Sequence, residues 1–101
     1  MTLEEFRASL KAKAPPGEMG DLLVALWHEA KGDWDRAHQF AQSVEDADGS
    51  WVHAYLHRKE GDSSNASYWY KRANKPFAEI GLEQEWEQLV EAFLGRTKDE
   101  G

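Results

Sequence analysis

A thirteen-residue pattern occurs twice in this chain, and it limits the fold more than any other feature. Sliding the sequence by 29 residues superimposes Ala25 on Ala54, His28 on His57, Gly32 on Gly61, Asp33 on Asp62 and Ala37 on Ala66. Five of the thirteen positions are identical, where average residue usage leads to about one by chance. The shared pattern, Ala-x2-His-x3-Gly-Asp-x3-Ala, has a physical logic. Glycine suits the left-handed position that ends a helix, and aspartate suits the N-cap of the next. A small Ala on each side of the corner lets two antiparallel helices approach closely. The pattern therefore predicts two helical hairpins, over about 22–47 and 51–76.

The flanking segments are helical as well. Residues 2–13 begin with Thr2 and Glu5 at capping-box spacing and place Leu3, Phe6 and Leu10 on one face, before Pro15-Pro16-Gly17 ends the run. Leu22, Leu23, Leu26, Trp27 and Ala30 supply the apolar content of a helix over 18–31, and Trp34, Ala37, Ala41 and Val44 form the stripe of one over 34–45. Asp48-Gly49-Ser50 reads as a turn, with Ser50 capping a helix over 51–60. Ala66, Trp69, Tyr70 and Ala73 mark a helix over 64–74 that Pro76 stops. Leu82, Trp86, Leu89, Val90 and Phe93 mark the last helix, over 82–94. Its opposite face, Glu83, Glu85, Glu87 and Glu91, is acidic, and Gly95 closes it before a frayed tail, Arg96–Gly101. No segment alternates with a two-residue period over strand length. The expectation is one all-α domain, 1–101, in which the helices over 2–13 and 82–94 cap the exposed ends of the two hairpins.

The residues of the two units resemble the tetratricopeptide and Sel1-like class of helical repeats. Ala25, Gly32-Asp33-Trp34 and Ala37 carry the resemblance in the first unit, and Ala54, Gly61-Asp62 and the run Ala66 to Ala73 in the second. The period of 29 departs from the 34 of the tetratricopeptide unit. His28 and His57 stand where that class commonly has an aromatic. The resemblance implies an α-α superhelix that binds a protein or peptide without catalysis. The longer strings 26–34 and 51–62 also resemble small uncharacterised bacterial proteins, which implies no activity.

Composition narrows the classes of function. The 101 residues carry a net charge of −7 and no cysteine, so there is no disulfide, thiol nucleophile or thiolate metal site. Residues 51–76 hold five bases against two acids, whereas the remainder is strongly acidic. An acidic chain is a poor nucleic-acid binder. No apolar run reaches membrane-spanning length and the N-terminus does not read as a signal peptide, so the simplest location is cytoplasmic.

No phosphate loop, nucleophile elbow or His-Glu-x2-His motif is present, and neither a catalytic residue nor a cofactor is expected. Trp27, His28, His53, His57 and Arg58 are the candidate groove residues. Tyr68, Lys71 and Arg72 form a candidate surface patch, while Trp69 and Tyr70 share the apolar stripe and are expected in the core. His53 and His57 stand four apart and share a helical face, so with His28 or Glu29 they form an alternative metal-binding set, and with it an alternative metal- or ligand-dependent enzyme. The bland role of His28 and His57 is to sit in the last helical turn before a glycine cap. A third reading is self-association, with the basic 51–76 segment meeting the acidic last helix of another copy.

Overall fold

The two Gly-Asp corners fold alike down to individual hydrogen bonds. The computed structural model describes residues 1–99, with side chains through residue 95, and these form six helices and no strand. They are α1 Leu3–Ser9, α2 Asp21–Ala30, α3 Trp34–Gln42, α4 Ala47–Lys59, α5 Ser63–Arg72 and α6 Leu82–Asp99. At the end of α2, Gly32 adopts φ +88°, and at the end of α4, Gly61 adopts φ +89°. The Asp33 N–H reaches the His28 carbonyl at 2.9 Å, and the Asp62 N–H reaches the His57 carbonyl at 2.9 Å. Gly32 and Gly61 donate to Glu29 and Arg58 at 2.9 and 3.1 Å. Each corner is thus a Schellman motif. Each aspartate then turns N-cap, its carboxylate accepting from Arg36 or Asn65 at 3.1 Å. The repeated His therefore marks the backbone position whose carbonyl closes the corner.

Packing follows chain order. α2 lies against α3, α3 against α4 and α4 against α5, while α6 covers α2 and α4 and α1 packs on α6. The four repeated alanines, Ala25, Ala37, Ala54 and Ala66, are completely buried. Phe6, Leu26, Trp27, Val52, Leu56, Leu89 and Val90 fill the space between the pairs and the two flanking helices. Indole N–H groups tie the layers together. Trp34 donates to the Leu56 carbonyl at 2.8 Å, Trp86 to the Leu26 carbonyl at 3.1 Å, and Trp27 to Ser9 Oγ at 3.2 Å.

Several boundaries differ from the sequence expectation. α4 begins a turn earlier, because Asp46 rather than Ser50 is its N-cap, accepting from the Gly49 N–H at 2.9 Å. Asp48-Gly49-Ser50 is consequently helix, not turn. Gly49 is required there for another reason: a Cβ at this position would lie 1.8 Å from the Val44 carbonyl oxygen. α5 ends at Arg72, and Asn74 takes φ +58° in a third Schellman corner, two residues before Pro76. α1 ends at Ser9, before Pro15-Pro16-Gly17. α6 runs through Gly95 to Asp99, so the expected frayed tail is helical that far, and its last two residues lie outside the described residues. No described helix is long and apolar enough to cross a membrane.

Candidate functional site

The last helix is not a solvated acidic stripe. Glu85 is only 1% exposed, because Trp86, Leu89 and Phe93 orient α6 so that this carboxylate faces inward. Its oxygens accept from Tyr70 Oη at 2.6 and 2.8 Å, Arg58 Nη1 at 2.9 Å and Trp51 Nε1 at 3.3 Å. Arg58 also donates to the Ile80 carbonyl, fixing the segment that leads into α6. Burial and the hydrogen bond to Glu85 push the Tyr70 phenol well above its ordinary range. A second buried carboxylate, Glu29, accepts from Tyr55 Oη at 3.4 Å and pairs with Lys59. Clefts of about 400 and 440 Å³ open over Glu29 and Glu85 respectively, but both carboxylates are already satisfied from within.

This arrangement removes part of the expected groove. Trp27 is core, with Lys31 lying over its ring, and Arg58 belongs to the internal network. Neither the Arg58 nor the Glu85 charge is available to a second copy. His28 packs parallel to Phe40 at 5.7 Å and edge-on to Trp27, away from the other three histidines.

Those three meet across α3 and α4. Trp34 stacks on His38 at 4.9 Å, and His38 meets His53 edge-on at 4.4 Å and His57 at 5.4 Å. His53 and His57, one turn apart on α4, stack at 4.9 Å. On the α5 side His53 stacks on Trp69 at 3.8 Å with only 10° between planes. The Arg72 guanidinium lies over Trp69 and over Tyr68, whose hydroxyl accepts from Arg72 Nη1 at 3.1 Å. The result is a continuous ladder of π-faces from Trp34 to Tyr68, built by three successive helices.

The ladder is polarised. At its inner end His57 Nδ1 donates to Glu60 Oε1 at 2.7 Å, the carboxylate being able only to accept. In the middle, burial and then the nearby His38, His57 and Arg72 push the His53 imidazole down to about 4. His38, half-buried, is lowered by burial and by His57. At the outer end Tyr68 is 52% exposed and Lys71 and Arg72 lie at the surface. A cleft of about 290 Å³ opens beside this end, lined by His53, Trp69, Arg72, Gln42, Glu45 and Ser50 among others. Trp69 is half-buried, not core, and among the described residues no protein group accepts its indole N–H.

The structure thus brings together His53, His57, Tyr68 and Arg72 of the expected residues, and adds His38, Trp34 and Trp69. His38 carried a signal that sequence reading passed over: it stands four residues after Trp34, the spacing at which His57 follows His53. Glu85 carried none, since its neighbours 83 and 87 are acidic too. Comparison with protein-family models, with curated proteins and with solved structures finds no match to this chain.

Proposed function

We propose that this chain is a noncatalytic scaffold of the tetratricopeptide- or Sel1-like kind, whose α3–α4–α5 face binds an acidic peptide segment of a partner protein. The observation that carries the reading is the outer end of the ladder, where Arg72 lies over two aromatic faces beside an open cleft. A guanidinium held in that way presents its edge to a carboxylate, and the flanking Tyr and Trp supply rigid apolar area. The two similar helix pairs support the scaffold assignment, and the lack of cysteine agrees with a cytoplasmic setting.

Selection of peptides from a random displayed library on the immobilised chain tests the reading. Selected peptides enriched in Asp or Glu should bind wild type, weaken at least about tenfold on Arg72→Ala, and shift amide resonances of α3, α4 and α5. Failure to select any peptide, or peptides that bind Arg72→Ala as well as wild type, would overturn it.

A further inference from the structure

We infer that His38, His53 and His57 form a three-imidazole site for a divalent first-row transition ion, zinc by preference. This site lies at the inner end of the ladder and goes beyond peptide binding at its outer end. One ring nitrogen from each residue falls within 4.8 Å of the others. Zinc bonds imidazole nitrogen at about 2.0–2.1 Å, so tetrahedral ligand nitrogens stand about 3.3–3.4 Å apart. The set must therefore close by at most about 1.5 Å, within reach of side-chain torsions and chiefly of half-buried His38.

Four further observations favour a ligand here over simple packing. Among the described residues no protein group hydrogen-bonds the ring nitrogens of His38 or His53, and none of these nitrogens is sealed from solvent, so they are open to an ion. Glu60 on His57 Nδ1 leaves Nε2 to coordinate, the carboxylate–histidine arrangement that orients metal ligands. Trp69 beneath His53 and Trp34 against His38 hold the outer two rings. His53 also lines the 290 Å³ cleft, which gives the ion a path and leaves a position for water or an exogenous donor. The neighbouring set His57, Glu60 and Asp62 also lies within 4.8 Å, but Asp62 is committed to capping α5.

Titration of the untagged, chelator-stripped chain with cobalt(II), followed by zinc competition, reads the site directly. Wild type should take up one ion per chain, with visible absorption of low-coordinate cobalt that zinc abolishes, and its melting temperature should rise with zinc. His38→Ala should weaken binding at least about tenfold, the effect that loss of even an outer-shell partner has, while His28→Ala and Asp62→Asn should leave it unchanged. Should His53→Ala fail to fold, nitrogen-15 shifts of the imidazole rings in zinc-loaded wild type identify the ligands instead. Absence of cobalt absorption and of a zinc-dependent melting shift would overturn the site, as would undiminished binding by folded His38→Ala.

Discussion

The Glu85 carboxylate is buried in this core, and three donors, Tyr70, Arg58 and Trp51, replace the water it gives up there. A buried ion pair contributes little net stability against an apolar replacement, yet breaking one side of it is strongly destabilising. Glu85→Ala, which strands the Arg58 guanidinium, should cost about 3–5 kcal/mol in urea unfolding. Tyr70→Phe, which removes one donor to the same carboxylate, should cost about 1–3 kcal/mol. Equal and small effects of the two changes would mean that the network is not the buried hub described. His28 supplies a pH test well away from the three-histidine cluster. Burial and then the Arg36 charge hold its imidazole below the ordinary 6.5, against an opposing pull from Asp33. A folded value below the unfolded one means full stabilisation above pH 6.5, lost as pH falls below it. Phenylalanine keeps the stack on Phe40 and cannot titrate. The melting-temperature difference between His28→Phe and wild type should therefore move in the variant's favour from about pH 7 to about pH 5. A difference independent of pH would contradict the account.

At the scale of the helix, three glycines show how local geometry decides a substitution. Gly32 and Gly61 both sit in the left-handed region, and a Cβ at either would meet nothing within 4 Å. Alanine there costs only the backbone conformation, about 1–2 kcal/mol, and the two costs should agree closely because the corners are alike. Gly49 is the opposite case. It lies in α4, where alanine ordinarily stabilises, but its Cβ would enter the Val44 carbonyl. Gly49→Ala should destabilise clearly more than Gly61→Ala in thermal unfolding, reversing what helix propensity alone predicts. The corners themselves were legible in the sequence, since Gly and Asp act there through their own backbone and carboxylate. The start of α4 was not, because Asp46, Asp48 and Ser50 are all competent caps by residue type, and only the folded chain shows Asp46 accepting from Gly49 N–H.

For the molecule as a whole, the helix pairs are incomplete without α6. Trp86, Leu89, Val90 and Phe93 are buried, Trp86 ties α6 to the Leu26 carbonyl, and Glu85 neutralises Arg58. A chain ending at residue 80 would expose that apolar face and leave Arg58 unpaired. It should lose its cooperative unfolding transition and bind a hydrophobic dye. Cooperative melting of the shorter chain would show that the two pairs stabilise each other unaided.

Helix content, the repeat and its two corners follow from the amino-acid order alone. They rest on interactions between residues at most a few positions apart: periodic apolar spacing, left-handed glycine and aspartate caps. Which side chains face inward on α6, and which histidines meet, depended on contacts between residues far apart in the chain. Four glutamates of α6 look alike in sequence, and only the docking of its apolar stripe on α2 and α4 buries Glu85. His28 and His57 are equivalent by repeat. Yet the stacking of α3 on α4 turns His57 toward His38 and His53, while His28 stacks on Phe40. Long-range packing therefore chose the ladder of rings on which both the proposed binding face and the proposed metal site depend.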